Sequence, residues 1–532
     1  MKGLGNTYQD RTGIRKTREW RGLRDTVYDF GWWLTTWKDM IAFVLRSPVQ
    51  VVKGLWKYRW MATYLTVPAF IDRQLEGNRG VQLRAAHTLY DVIVKHTIDI
   101  ISTTFDADLS IGGKKTLAER IVCLDELVPT ELMAGFPNLI GIPVQTIPIF
   151  LASMINQQLP PVYLDTIENY GVPSDVCPLP SAEAGVAVEG DYPIFGKCFI
   201  SCNMPCDGSV MTSAYQDRYF KLPTYELGVP LRYNDDVDAQ DYAVEEILGC
   251  IRFIEEQTGE KFDWDAFFAG LEKYNAVTRF HLELWEINRT RYPQVTGPTP
   301  WLYRMYSFHL HGGMDERFIR ADEKVRALMT AGYEKRLPCA REMRHKALVW
   351  SCPANYYTSF ANWLEQCWGI VCVMDMETHI SQQIIDTSSP RSALEGLALT
   401  FQRTTMRKHT KGGYKNAVDE LWRVAEEYAV DTIIMYDQIS CKGMDGLQGI
   451  FDDQARERKL NFIWVQQDLM DCRTISRRDM RNQVNAYMTS VLREQPLDPT
   501  LVDFDDSEAW YGHRYCIYIS LRPCLRPEAI IL

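Results

Sequence analysis

Thr432-Ile-Ile-Met-Tyr436, Leu447 to Arg458, and Phe462-Ile-Trp-Val465 are a short apolar run, a span with helical spacing, and a second short apolar run. Apolar runs of strand length, separated by helical spans, read as strands buried on both faces of a parallel sheet. The pattern continues upstream. Ala347 to Ser351 reads as a strand, Ser359 to Trp368 as a helix, Ile370 to Met374 as a strand, and Ala417 to Tyr428 as a helix. This alternation predicts a parallel sheet covered by helices on both sides.

A second region of the same kind precedes it. Leu139 to Ile155, interrupted by Pro143, Gln145 and Pro148, reads as a buried strand and turn leading into a helix. Lys197 to Asn203 reads as a strand, and Asp207 to Phe220 as a helix that Asp207 could cap. Leu222 to Leu231 reads as the next strand. An amphipathic helix from Asp238 to Thr258 stops at Gly259. The expected fold class is therefore α/β, with two doubly wound parallel-sheet domains at 121–335 and 336–495. A helical N-terminal extension occupies 1–120 and a C-terminal arm 496–532. Trp32, Trp33, Trp37, Trp56 and Trp60 in the extension read as packing and interface residues.

Composition narrows the function. Of 532 residues, 58 are Lys or Arg and 69 Asp or Glu, a net charge of −11, which argues against nucleic acid as a partner. Lys38 and Asp39 interrupt the Phe30 to Leu45 stretch, so no membrane span is expected. The charged N-terminal residues lead into no apolar signal core, so the chain reads as soluble and cytoplasmic. In that compartment its 14 cysteines are core residues or metal ligands, not a disulfide framework. Cys250, Cys367 and Cys372 sit in apolar surroundings and read as core.

Three other cysteines lie at loop positions. Cys177 is in Pro173-Ser-Asp-Val-Cys177-Pro178, and Cys206 and Cys441 stand just beyond the carboxyl ends of expected strands. Ligands of open parallel sheets bind at such ends. Three thiolates from distant loops make a poor structural zinc site, which prefers four ligands in close pairs. They suit a 4Fe–4S cluster with one iron left for a non-protein ligand. Ile111-Gly-Gly-Lys114 lacks the first glycine of a phosphate loop, having Asp108 there, and is set aside. His309 and His311 lack a neighbouring carboxylate cluster, Lys411-Gly-Gly-Tyr414 reads as a loop, and no Ser-His-Asp signature appears.

From about residue 120 to 495 the chain resembles the 2-hydroxyacyl-CoA dehydratase family, which includes the benzoyl-CoA reductase subunits. Six elements carry the resemblance in order: Val128-Pro-Thr-Glu-Leu132 with Gly141-Ile-Pro143; Cys177; Pro205-Cys-Asp-Gly208; Glu255-Glu-Gln-Thr-Gly259 through Asp263; Ser440-Cys-Lys442; and Asp468 through Arg481. The first 110 residues and the tail fall outside it. Ser351-Cys-Pro353 departs from it, since a glycine is expected after that strand; Cys352 could approach the cluster or simply fill space. The resemblance implies Cys177, Cys206 and Cys441 as cluster ligands, with Cys202 the rival of Cys206. It makes Glu131 the candidate active-site carboxylate, against a reading as a solvated residue at a helix start. Asp468, Asp471 and Arg473 read as builders of the last loop.

The implied chemistry is elimination of water from an (R)-2-hydroxyacyl-CoA to a 2-enoyl-CoA. The β proton is not acidic, so a transferred electron first turns the thioester into a ketyl radical anion. A base removes the proton once hydroxide has left. The implied partners are a CoA-thioester substrate, a homologous second subunit with its own cluster, and an ATP-dependent iron–sulfur activator protein. The alternatives are a benzoyl-CoA-reductase-type subunit and a non-catalytic electron-relay or scaffold subunit.

Overall fold

A computed structural model describes residues 22–109, 115–125, 127–193, 195–202, 206–230, 237–309, 315–380, 383–403, 409 and 413–503. The basic stretch before residue 22, Gly112 to Lys114, Asn203 to Pro205, Leu231, His311, Lys411-Gly412 and the arm beyond 503 lie outside the described residues.

Two parallel sheets of four strands carry the fold. The first contains β1 (Ile121–Leu124), β2 (Ile140–Pro143), β3 (Cys198–Cys202) and β4 (Thr224–Leu227), in order β2-β1-β3-β4. The second contains β5 (His345–Trp350), β6 (Ile370–Asp375), β7 (Thr432–Gln438) and β8 (Asn461–Gln467), in order β6-β5-β7-β8. The order is the same in both, so each sheet reverses direction between its first and third strands, where open α/β sheets place their ligands.

Strand alternation divides the side chains between two cores. In the first sheet Ile121, Cys123 and Phe199 face one core, and Val122, Leu124, Cys198, Ile200 and Cys202 the other. In the second, Leu348, Trp350, Ile433 and Met435 oppose Ala347, Val349, Ile434 and Tyr436. Both faces are covered, as doubly wound sheets require.

The N-terminal region is helical, with α1 (Leu23–Arg46), α2 (Pro48–Lys57), α3 (Val67–Gln74) and α4 (Gly80–Asp108). Its inner face shares a core with the first sheet. Trp60, Leu83 and Phe105 are fully buried in the same cluster as Ile121, Tyr163 and Phe199. Trp60 Nε1 also donates to the Asp191 carbonyl at 2.8 Å. The outer face is apolar and exposed: Leu23, Val27, Phe30, Leu34, Trp37, Ile41 and Leu45 recur every three or four residues along α1.

The expected elements are present with shifted ends. The strand expected at 222–231 shortens to β4, because Pro230 has no N–H to give a ladder. Asp207 is not the cap of its helix; Cys206 holds the N-cap position and Asp207 is the first helical residue. β1 is not among the expected strands, since four residues are too few to display a period. No helix among the described residues is long and apolar enough to cross a membrane.

Candidate functional site

Cys177, Cys206 and Cys441 each occupy the N-cap position of a helix. Cys177 precedes α5 (Pro178–Glu189), Cys206 precedes α6 (Asp207–Phe220), and Cys441 precedes the short α9 (Lys442–Asp445). Pro178 suits the first turn of α5, where no intrahelical donor is needed. None of the three helices is capped by a side-chain oxygen. Each cysteine stands at the start of a helix, beside its first N–H groups.

The fold brings these positions together. Cys206 follows β3 and Cys441 follows β7, the equivalent strand of the other sheet. Helices α5 and α6 pack closely, with Thr212 Oγ1 donating to the Pro180 carbonyl at 2.9 Å. Gly208 makes that approach possible: a Cβ there would stand 3.1 Å from Pro180 Cγ and 3.6 Å from Cys206 Sγ. On the other side Lys442, beside Cys441, pairs with Asp175, two residues before Cys177, at 2.8 Å. The pair lowers the pKa of Asp175. Burial raises the Cys177 thiol well above its usual value, and the nearby Cys206, Cys441 and Asp468 add to the rise. The Gly208 approach and the Lys442–Asp175 pair bring the segments that carry the three cysteines together.

Cys202 stands elsewhere. It is fully buried at the end of β3 in the core with Leu227, Val244 and Ile247. Cys250, Cys367 and Cys372 are core residues, as expected. Glu131 lies on a short 3-10 helix, Thr130–Gly135, and is buried. Burial raises its pKa, and the Arg304 guanidinium on α7 (Thr299–His309) partly offsets this. Its surroundings are those of Arg304 and Tyr274, not the cysteine group. The solvated-residue reading of Glu131 is thus corrected, because the chain folds over it.

Asp468 and Asp471 build the loop after β8. Asp468 Oδ1 accepts from the N–H of Met470 at 2.8 Å and of Asp471 at 2.6 Å, and Arg473 grips both Asp471 and Asp165. Burial pushes Asp468 up to about 6.

Two residues absent from the sequence reading complete the neighbourhood. Asp375 ends β6 and accepts from the N–H of Glu377 and Thr378. Burial raises Glu377 to about 7. Its Oε1 accepts from the Cys352 thiol at 3.0 Å, and its Oε2 from Trp301 Nε1 at 2.5 Å. The only signal in the sequence is a pair of carboxylates at the carboxyl end of an apolar strand.

Among the described residues no three His, Cys, Asp or Glu side chains gather closely enough to hold one metal ion. The donor set fits a cluster better than a single ion, because each thiolate of a cluster binds its own iron and the sulfurs stand apart. No curated protein matches the chain. A family model, HGD-D, described as 2-hydroxyglutaryl-CoA dehydratase, D-component, matches residues 128–491.

Proposed function

Because the chain belongs to the 2-hydroxyglutaryl-CoA dehydratase D-component family, we propose that it is one subunit of a radical 2-hydroxyacyl-CoA dehydratase and holds a 4Fe–4S cluster on Cys177, Cys206 and Cys441. The observation that carries this reading is the convergence of three thiols, each at a helix N-cap. When bound, the cluster would supply one-electron chemistry for the thioester.

The chain's own residues would set the conditions for that chemistry. Cys177 and Cys206 stand at the N-termini of α5 and α6, whose positive dipole ends would ease the charge of a reduced centre. Gly208 keeps their N-termini together. Lys442 and Asp175 tie the third ligand's turn to the first ligand's loop. Glu131 is the proposed carboxylate for proton transfer: it is buried, which raises its pKa, and the Arg304 guanidinium partly offsets the rise. The proposed partners are a CoA-thioester substrate, a homologous second subunit and an ATP-dependent iron–sulfur activator. A location in the cytoplasm accords with an oxygen-sensitive centre.

The test is iron and acid-labile sulfide content, with EPR after reduction, on full-length protein purified without oxygen. Wild type is expected to hold about four irons per chain. Cys177→Ser, Cys206→Ser and Cys441→Ser should each lose most of them, while Cys250→Ser keeps them. Iron that survives all three substitutions would remove the site.

A further inference from the structure

We propose that Cys352 is the fourth protein ligand of this cluster, which closes the iron left open by the other three. The proposal rests on the cluster reading above and deepens it.

Topology supplies the first argument. β5 and β7 are hydrogen-bonded neighbours, with Trp350 opposite Met435. Cys352 leaves the carboxyl end of β5 beside the strand that delivers Cys441. It also packs at the margin of the same core patch as Cys177. Its thiol interacts electrostatically with both Cys441 and Cys177.

The second argument is how the position is built. Ser351 has φ +68°, a left-handed backbone that is strained for a non-glycine residue. The chain keeps that glycine-like turn without glycine, and the turn sets the direction of Cys352. Gln467 Nε2, at the end of β8, donates to the Cys352 carbonyl at 3.0 Å and pins it from the other side.

The third argument is the proton. The Cys352 thiol already donates to Glu377 Oε1 at 3.0 Å, and Trp301 holds the other oxygen. Ligation would exchange the S–H bond for a sulfur–iron bond, and Glu377 Oε1, already the acceptor of that hydrogen, would take the proton. No electron moves, so the step balances without a further reactant. A 4Fe–4S cluster with one thiolate on each of its four irons would leave no iron position vacant for a thioester or hydroxyl oxygen.

Mössbauer spectra of iron-57-loaded, full-length protein decide the matter, recorded with and without cyanide, a small ligand for open iron sites. Wild type should show four thiolate-bound irons and no response to cyanide. Cys352→Ala should retain the cluster but set one iron apart and make it respond to cyanide. A distinct, cyanide-responsive iron already present in wild type, and unchanged in Cys352→Ala, would overturn the proposal and leave the three-cysteine cluster standing. Wild type without iron would overturn both. Should Cys352→Ala not fold, the wild-type spectrum is sufficient by itself: a cyanide-responsive iron there overturns the proposal, and four equivalent, unresponsive irons support it.

Discussion

Glu365, on the helix α8 (Phe360–Trp368), sets burial against charge at a single residue. It is 8% exposed, and desolvation raises its pKa from 4.5 to about 8, with the Arg79 charge only partly opposing. A raised carboxyl pKa means that the folded chain binds the proton more tightly than the unfolded chain. The stability it contributes is whole below about 4.5 and is lost as pH rises through about 8. Urea midpoints of wild type should therefore fall across that window. Glu365→Gln should flatten the fall, gaining on the order of a few kcal/mol over wild type at pH 9. Parallel curves for the two proteins would refute the account. Residues of this kind are invisible in a sequence. Nothing around Glu365 marks it as buried, just as nothing around Glu377 marks a contact with Cys352, since both depend on which strand lies beside which. The places of Cys206 and Cys441 just beyond strand ends were legible for the opposite reason: each follows an apolar run within its own local sequence, and the structure puts them after β3 and β7.

Among the elements, the helix α10 (Gln448–Arg458) and strands β5 to β8 fall within a few residues of their expected spans. Their strands are continuous apolar runs, which need no partner to be recognised. β1 and the short β4 were harder, because Ile-Val-Cys-Leu and Thr-Tyr-Glu-Leu derive their strand character from the ladder with β3. The segment from Asp468 to Arg481 was legible. Its charged residues read as builders of the last loop, and the structure uses them for turns and a cap. Ser476 Oγ accepts from the Asp479 N–H, and the Asp479 carboxylate accepts from the Ser476 N–H, a capping box that starts α11 (Arg477–Ser490). Ser476→Ala should cost about 1 kcal/mol in urea unfolding and leave the iron content unchanged. A loss of iron without a loss of stability would return this segment to the site.

Over the whole molecule, the two faces of the N-terminal helices make opposite predictions. Trp60 is fully buried where those helices meet the first sheet, so Trp60→Ala should cost about 3–5 kcal/mol. Leu34 and Ile41 stand 49% and 53% exposed on α1, so Leu34→Glu with Ile41→Glu should shift stability by no more than about 0.5 kcal/mol each. Thermal unfolding of the three proteins checks both values, and a large loss in the α1 variant would mean that its outer face is covered. That these helices complete the first core was not legible from their pattern, which shows that a face is apolar but not what it rests against. The two sheets, finally, supply their cysteines from opposite sides of one seam, Cys177 and Cys206 from the first and Cys441 from the second. A group bound to all three would cross-link distant parts of the chain and restrict the freedom of its unfolded state. Oxygen that dismantled such a group would cut a fastening as well as a wire, and the damage would register as lost cohesion between the two halves.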